Sequence, residues 1–384
     1  MDFAPNDDHE ALREAIRAVC RDFDKSYYVQ RAEAGEPTTE AWKALGDHGF
    51  IGINMPEEYG GGGAGLTELA IVCEESAAAG VPQLLLLVSS AISGEVIANF
   101  GTQEQKEKWL PGMADGSKKV VFAITEPDAG TNSHRIATTA REVEGGWTLS
   151  GTKHFISGVD EADAVLVVAR TDTDDATGSG ELSLFIVETD APGLVRHRLP
   201  VSVALPEKQF TLFFDEVSVG QGSLVGEIGK GLKQVFHGLN PERITGAAIC
   251  VGVGRLALER ASDYARERRV WDVPIGAHQG VSHALAQAKI EVELASLMTS
   301  KAAWLHDHDL PAGEASNMAK YAAAEAGLAA TDAAIQIHGG NGLATEYGLL
   351  PYWALARLLR IAPINRDMIL NHVAQHSLGL PRSY

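Results

Sequence analysis

The sequence has few cysteines, no long apolar run and no excess of positive charge. Its three cysteines, Cys20, Cys73 and Cys250, lie far apart and form no CxxC pair, which favours buried free thiols in a reducing compartment over a disulfide framework. No apolar stretch approaches the roughly 20 residues of a membrane span. The N-terminus also shows no basic segment followed by an apolar run, the pattern of a signal peptide. We therefore expect a cytoplasmic protein with no membrane partner.

The charge balance and the missing motifs exclude several functions. The chain of 384 residues has 32 Lys and Arg against 51 Asp and Glu, a formal net charge of −19. Such a surface repels the phosphate backbone, so no nucleic-acid partner is expected. The glycines at 60–63 are not followed by the Gly-Lys-Ser/Thr of a P-loop, and no GxSxG or HExxH occurs. An anionic ligand would have to be bound by local Arg, Lys or helix-end groups.

The order of the predicted elements is helical, then β, then helical. It indicates an α+β fold with segregated domains, since strands do not alternate with helices. We predict an N-terminal helical domain at 1–120, a middle antiparallel β-sheet or barrel domain at 121–230, and a C-terminal helical bundle at 231–384. The glycines at 60–63 predict a loop, and the polar segment 171–180 predicts a break between strands. Helical periodicity covers Ala11–Phe23, Ala41–His48 (ending at Gly49), Leu232–Arg269, Val281–His306 and Ala315–Ile337; strand patterns cover Val120–Ile124, Ala164–Ala169, Leu182–Val187 and Phe210–Phe214.

Two local patterns have a simple and a functional interpretation. Gly252-Val-Gly254 is half of a dinucleotide-binding fingerprint, but it lies in a helical pattern with no preceding strand. This favours helix packing through small residues. The segment His306-Asp-His-Asp309 offers metal ligands, yet it lies at a predicted helix end before Pro311. A solvated terminus, where protonated His complements the helix dipole, is the favoured interpretation, and we expect no metal site.

Two segments twenty residues apart carry the strongest functional signal. They are Phe122-Ala-Ile-Thr-Glu-Pro-Asp-Ala-Gly-Thr131 and Gly151-Thr-Lys-His-Phe-Ile-Ser157. A flavin needs hydroxyl and backbone donors along one ring edge and an apolar wall on one face. Thr125 and Ser157 offer the hydroxyls and Phe155 offers the wall. Either segment alone is equally well explained by ordinary strand and turn polarity, but the pair favours a flavin site.

The paired segments closely resemble the flavin-contacting stretches of the acyl-CoA dehydrogenase family. The resemblance continues through Gly238-Leu-Asn-Pro-Glu-Arg-Ile244, the run from Arg268 to Gln279, and Gln336-Ile-His-Gly-Gly-Asn-Gly342. It departs at Trp271, where the family has Phe, and at Asp272, where it has Gly. The resemblance implies FAD shared between subunits of a homotetramer, an acyl-CoA substrate, and an electron-transfer flavoprotein as acceptor. The cofactor-binding residues it implies are Phe122, Ile124, Thr125, Thr131, Phe155, Ile156, Ser157, Arg268, Trp271, Gln279, Gln336, Gly339, Gly340 and Asn365.

The same resemblance indicates the catalytic base. The family removes an α-proton from an acyl thioester with a carboxylate while hydride leaves the β-carbon, giving a trans-2-enoyl thioester. Pro363 stands where medium-chain members have their Glu, and a proline cannot be a base. Isovaleryl and long-chain members use a Glu-Arg pair on a helix, which Glu242 and Arg243 match. We therefore expect Glu242 to be the base. The alternative is a solvated carboxylate in the first turn of a helix that Pro241 begins or kinks.

Pro363 also affects the site that binds the substrate carbonyl. In the family, the backbone N–H at this position donates to the thioester oxygen, and proline has no N–H. We expect a local shift that lets Ala362 or Ile364 donate instead. The neighbouring Ala354-Leu355 also departs from the usual Arg-Asp. The substrate-binding residues implied are Thr131, Asn240, Arg243, Pro363 and Ile364, although Arg243 has an equally plausible structural role.

Three functions remain open at this point. The first is FAD-dependent acyl-CoA dehydrogenation. The second is an oxidase or a carrier-protein thioester dehydrogenase on the same scaffold. The third is a catalytically silent FAD-binding subunit of a hetero-oligomer. The length and branching of the acyl chain do not follow from the sequence.

Overall fold

The first part of the protein is helical. The computed structural model describes residues 6–23, 26–171 and 181–382. Asn6 begins α1, because its side-chain oxygen accepts from the N–H of Asp8 at 2.9 Å. A π-helical segment at Leu86–Gly94, which the sequence pattern did not indicate, follows α4. The helices of this part are α1 (Asp7–Cys20), α2 (Tyr27–Ala34), α3 (Thr39–Asp47), α4 (Leu66–Ala78), α5 (Glu95–Phe100) and α6 (Gln103–Ala114).

The middle of the protein is an eight-stranded sheet. The strands are β1 (Val120–Ala123), β2 (Thr139–Val143), β3 (Gly146–Ser157), β4 (Ala164–Thr171), β5 (Glu181–Glu188), β6 (Leu194–Leu199), β7 (Gln209–Gly220) and β8 (Leu224–Val225). Their order is β6-β7-β3-β2-β4-β5-β8, with β1 beside β4. Most neighbours are antiparallel, but β1 and β2 both run parallel to β4. Every residue of β4 is buried, as expected for a strand covered on both faces.

Three long helices and two short ones form the C-terminal part of the described chain. They are α7 (Gly231–Glu267), α8 (Gln279–Asp307), α9 (Gly313–His338), α10 (Leu350–Leu359) and α11 (Arg366–His372). A short hairpin of β9 (Arg269–Val270) and β10 (Val273–Pro274) separates α7 from α8. Within α7, a Cβ on Gly252 would lie 2.2 Å from the carbonyl oxygen of Glu74 on α4. The glycine therefore permits close helix packing, and the interpretation of this pattern as a packing feature is confirmed.

The predicted α+β fold is confirmed, with helices before and after a mostly antiparallel sheet. Gly49 adopts the expected left-handed conformation after α3, with φ of +76°. The three cysteines are buried and free, as expected. The predicted break at 171–180 falls almost wholly outside the described residues, and the domain limits at 120 and 230 stay predictions. No helix in the described part of the chain is long and apolar enough to cross a bilayer.

The end of α8 differs from the expectation for 306–309. Asp307 is not a solvated carboxylate, because it accepts hydrogen bonds from the N–H groups of Leu66 and Thr67 at 2.7 and 2.9 Å. These are orphan donors in the first turn of α4, so Asp307 caps a helix distant in sequence. Gly65, at the capping position itself, has no side chain to do so. His306 contacts Asp307, and the described residues contain no cluster of three metal-binding side chains.

Candidate active site

The two segments that resemble flavin-contacting stretches, 122–131 and 151–157, lie side by side. The N–H of His154 donates to the carbonyl oxygen of Thr125 at 2.8 Å. The Lys153 ammonium donates to the carbonyl oxygen of Ile124 at 3.1 Å and to the carboxylate of Glu126 at 2.8 Å. The 122–131 loop is therefore fixed against the end of β3.

The Lys153–Glu126 pair is buried at this junction. Glu126 also accepts from the N–H groups of Ala137 and Thr138 at 2.6 and 3.0 Å. Burial lowers the pKa of Lys153 to about 8, with Glu126 opposing the shift. Burial alone would raise the pKa of Glu126, but Lys153 and these hydrogen bonds hold it below its usual range. Breaking such a pair from one side leaves an uncompensated buried charge.

The segments present an aromatic ring and polar groups at the surface. Phe155 is 56% exposed and has φ of +58°, a conformation that is strained for a bulky residue. Ser157 exchanges hydrogen bonds with the buried Gln209. The Ile156 side chain packs into the core, so its backbone is the part available to a ligand. Phe122 lies half-buried in β1. An exposed ring held in a strained conformation is typical of a ligand site.

Thr131 and Asn365, predicted to act at one site, are in contact although they lie 234 positions apart in the chain. The side-chain amide of Asn365 donates to the Thr131 hydroxyl at 3.1 Å. The Asn365 side-chain oxygen also accepts from the N–H of Met368 at 3.0 Å, which caps α11. The fold thus joins the 122–131 loop to the turn between α10 and α11.

Glu242 lies well inside α7 and is buried. Its residue is 7% exposed, and the helix begins at Gly231, so Pro241 does not start it. The alternative of a solvated carboxylate in a first helical turn is therefore wrong. Burial raises the pKa of Glu242 to about 8, although Arg243 and Lys320 oppose the shift. The positive charges compensate only part of the cost of burying the carboxylate.

Two glycines lie on the same face of α7 as Glu242, one turn before it and one turn after it. A Cβ on Gly238 would lie 3.1 Å from Ile92 in the π-helical segment. A Cβ on Gly246 would lie 3.1 Å from Leu87 and 3.7 Å from Leu359. The carboxylate is therefore held where α7 meets the π-helical segment and the end of α10.

Two other predicted substrate-binding residues, Asn240 and Arg243, lie on the same helix as this carboxylate. The guanidinium of Arg243, which is buried, donates to the Asn240 side chain at 3.0 Å. Burial lowers the pKa of Arg243 and Glu242 opposes the shift. Arg243 thus has a structural partner beside the carboxylate.

The turn from 361 to 365 distinguishes the two candidate N–H donors. Ala362 is not free to donate, because its N–H is bonded to the carbonyl oxygen of Leu358 at 2.9 Å. Pro363 follows through a cis peptide bond and has no N–H. Among the described residues, the N–H of Ile364 has no partner, whereas its carbonyl oxygen accepts from Lys320 at 2.5 Å. Of the two candidates, Ile364 is the one with a free donor.

A second group of predicted residues lies at the surface of the C-terminal helical part. Trp271 is 85% exposed, and Trp271 and Asp272 form the turn of the β9–β10 hairpin with φ of +55° and +69°. This turn requires positive φ at both positions, and Asp tolerates that region in place of glycine. Within the described ranges, no hydrogen bond connects this second group to the 122–131 or 151–157 segments. The exposed members are Arg268, Trp271, Gln279, Gln336, Gly339 and Gly340.

Comparisons with known proteins agree along the whole chain. Residues 6–117, 121–217 and 229–378 match the family models for the N-terminal, middle and C-terminal domains of acyl-CoA dehydrogenase. Acyl-CoA dehydrogenase FadE12 of Mycobacterium tuberculosis (strain ATCC 25618 / H37Rv) is 55% identical over 384 residues, which is 100% of this chain and 99% of that protein. The chain belongs to the acyl-CoA dehydrogenase family.

Two solved structures show the same fold. A glutaryl-coenzyme A dehydrogenase in complex with glutaryl-CoA is 31% identical, with a TM-score of 0.91 and coverage of 100% of this chain and 98% of that one. An FAD complex of PigA is 26% identical, with a TM-score of 0.91 and coverage of 99% and 100%. As a member of the family, the protein is a flavin-dependent oxidoreductase that dehydrogenates acyl-CoA, and its cofactor is FAD.

The described residues fit this cofactor. The exposed Phe155 ring and the nearby Thr125 and Ser157 form a surface suited to a planar ring with a polar edge. At Gly339 and Gly340, nothing lies within 4 Å of a Cβ, so a phosphate can approach the backbone closely.

Three polar residues of the site were not singled out from the sequence. Glu126 and Lys153 stand inside the two quoted segments, and their opposite charges were a usable signal. Lys320 lies in the alanine-rich pattern of α9, where nothing in the sequence indicates that it is buried.

Proposed function

We propose that the protein converts an acyl-CoA into its trans-2-enoyl thioester with Glu242 as the base. The observation that carries this proposal is the state of the Glu242 carboxylate. It is buried on α7, it forms no hydrogen bond or ion pair with the described residues, and burial raises its pKa to about 8. A general base works best with a pKa near the operating pH, and an unpartnered carboxylate is free to face a substrate.

The chain supplies the remaining groups for proton abstraction. Glu242 takes the α-proton, and the N–H of Ile364 donates to the thioester oxygen as negative charge develops on it. FAD, when bound against the 122–131 and 151–157 segments, would supply the hydride acceptor for the β-carbon. Arg243 and Lys320 favour the ionised form of Glu242 before proton transfer. The junction of α7 with the π-helical segment keeps this carboxylate away from bulk water.

Two alternatives to the proposed function would use the same scaffold. One is an oxidase, or a dehydrogenase of carrier-protein thioesters; the other is an FAD-binding subunit without catalysis. The buried carboxylate favours catalysis over the silent subunit, because a buried charge without a function costs stability.

An anaerobic titration of the purified FAD protein with acyl-CoAs of different length and branching, and with the matching carrier-protein thioesters, tests the proposal. Bleaching of the flavin absorbance by one or more of them supports dehydrogenation. Rapid reoxidation in air would identify an oxidase, and bleaching only by carrier-bound thioesters would identify the carrier-protein enzyme. A flavin that no thioester bleaches would contradict catalysis.

We also propose a homotetramer that transfers its electrons to an electron-transfer flavoprotein. Ile290, Leu294 and Leu297 form an apolar row on α8 and are 60%, 61% and 53% exposed. An apolar row of this kind is typical of a subunit interface. Light scattering should give four times the chain mass of 40.9 kDa. A monomer at micromolar concentration would contradict the tetramer. The cytoplasmic location, which is a separate question, stays a prediction.

A further inference from the structure

We propose that Lys320 is a positioning residue that fixes the Ile364 N–H for the thioester oxygen and that its charge favours the ionised form of Glu242. The inference rests on the proposed function of Glu242, but it concerns a residue that would act through Ile364 and Glu242.

Lys320 differs from the other buried lysines. Lys119 and Lys153 each bond a carboxylate, of Glu161 and Glu126 respectively. Lys320 is 2% exposed in α9, yet its ammonium bonds no carboxylate among the described residues. It donates instead to the carbonyl oxygens of Arg360 at 3.4 Å and Ile364 at 2.5 Å. Burying an ammonium group without a directly bonded counter-ion lowers the stability of the folded protein. We therefore expect Lys320 to have a functional role.

One acceptor, Arg360, lies just before the turn from 361 to 365, and the other, Ile364, lies within it. Arg360 directly follows α10, and Ile364 directly precedes Asn365, which caps α11. The Lys320 bond fixes the Ile364–Asn365 peptide and, through the Ile364 Cα, restrains the preceding Pro363–Ile364 peptide, which carries the Ile364 N–H. The Asn365 bond to Thr131 holds the far side of the same turn. The free N–H of Ile364 is thereby held in one direction, which electrostatic stabilisation of a developing oxyanion requires.

Lys320 and Glu242 both approach the end of α10. Lys320 bonds the carbonyl oxygen of Arg360, and a Cβ on Gly246, one turn after Glu242, would lie 3.7 Å from Leu359. The charge of Lys320 therefore also acts on Glu242. Two cations oppose the effect of burial on the Glu242 carboxylate: Arg243 on the same helix and Lys320 on α9. Burial lowers the pKa of Lys320 to about 8, while Cys250, Glu242 and Glu325 oppose this shift and Arg243 adds to it. Since an adjacent positive charge favours a carboxylate, removing the Lys320 charge should raise the pKa of Glu242.

Three substitutions distinguish the hydrogen-bond donor of Lys320 from its positive charge. Lys320→Met removes both, Lys320→Gln keeps a donor without the charge, and Lys320→Arg keeps the charge with a different donor geometry. Lys43→Met, at an exposed lysine of α3, is the control for general loss of a positive charge. Two measurements follow for each FAD-loaded protein. One is the infrared band of a ¹³C-labelled thioester carbonyl in a bound acyl-CoA analogue that resists oxidation. The other is the pH dependence of flavin reduction.

In the wild type, binding should shift the carbonyl band to lower wavenumber. Lys320→Met should lose most of this shift and lower kcat by ~10–100-fold with little change in KM. It should also raise the pH midpoint of flavin reduction by ~0.5–1 unit. Lys320→Gln should move the midpoint but retain more of the band shift. Lys320→Arg should retain the midpoint and lose part of the band shift.

An unchanged band and midpoint in a folded, FAD-loaded Lys320→Met protein would overturn the inference. If the Met and Gln variants do not fold, a Lys320→Arg protein with a band identical to the wild type would overturn the positioning role. The band does not depend on proton transfer, so these results are distinguishable from failure of the base assignment. That failure would appear as unimpaired reduction in Glu242→Gln.

Discussion

Replacing Glu242 with glutamine should have opposite effects on activity and on stability. The amide keeps the size of the side chain but can neither accept the α-proton nor carry a buried charge. Flavin reduction should slow by ~10³-fold or more, as expected for loss of a general base. The free energy of unfolding should rise at neutral and alkaline pH.

The magnitude follows from the pKa. Glu242 has its pKa raised from 4.5 to about 8 by burial in the folded protein. The unfolded chain therefore binds fewer protons than the folded one between these values, and stability falls as the pH rises through this window. Burying Glu242, which is ionised in the unfolded chain and mostly protonated in the folded one at pH 7, costs on the order of 3 kcal/mol at pH 7 and less than about 1 kcal/mol at pH 5. Glutamine avoids this cost, so its advantage should grow with pH.

Stopped-flow reduction and thermal unfolding at pH 5, 7 and 9 test both effects, with FAD and protein concentrations held constant. Glu259→Gln is the matched control, because Glu259 is an exposed glutamate on the same helix. The control should leave both rate and melting temperature nearly unchanged. A Glu242→Gln protein that reduces its flavin within tenfold of the wild-type rate would refute the assignment of the base. An equal melting temperature advantage at pH 5 and pH 9 would refute the burial argument.

Three further substitutions test other parts of the site. Ile364→Pro removes the N–H proposed to donate to the thioester carbonyl and should slow flavin reduction by ~10²-fold, whereas Ile364→Ala keeps the N–H and most of the rate. Equal stopped-flow rates for the two variants would contradict the donor role. Lys153→Met leaves the Glu126 carboxylate buried without its partner, costs ~3–5 kcal/mol and should release FAD during gel filtration. Retention of FAD with wild-type affinity would show that the pair does not hold the two segments together. Asp307→Ala removes the cap of α4 and should cost ~0.5–2 kcal/mol in thermal unfolding, while His308→Ala should not; no difference between them would argue against the cap.

The long helices and the family segments were accessible from the sequence because their signals are local. The periodic pattern from Leu232 gave α7 to within two residues at its C-terminal end, and the flavin segments are contiguous. The parallel pairing of β1 with β4 was not predicted, since both strands carry the same apolar composition in either orientation. Likewise, the π-helical segment has an apolar pattern that does not distinguish it from an ordinary buried helix.

The parts of the site that the sequence could not give depend on contacts between distant residues. Nothing near Asp307 indicates that it caps α4, because the donors lie about 240 residues earlier in the chain. The choice between Ala362 and Ile364 as donor depended on a hydrogen bond to Leu358 that closes the end of α10. The role inferred for Lys320 requires its burial, which an alanine-rich helix does not reveal.

The central claim is most directly tested by following deuterium from D₂O into the α-carbon of a bound 3-thia-acyl-CoA, which exchanges its α-proton but resists oxidation. Mass spectrometry should show incorporation by the wild-type protein, faster at pH 8 than at pH 6, and none above the uncatalysed rate with Glu242→Gln. Exchange by Glu242→Gln at the wild-type rate would place the base at another residue.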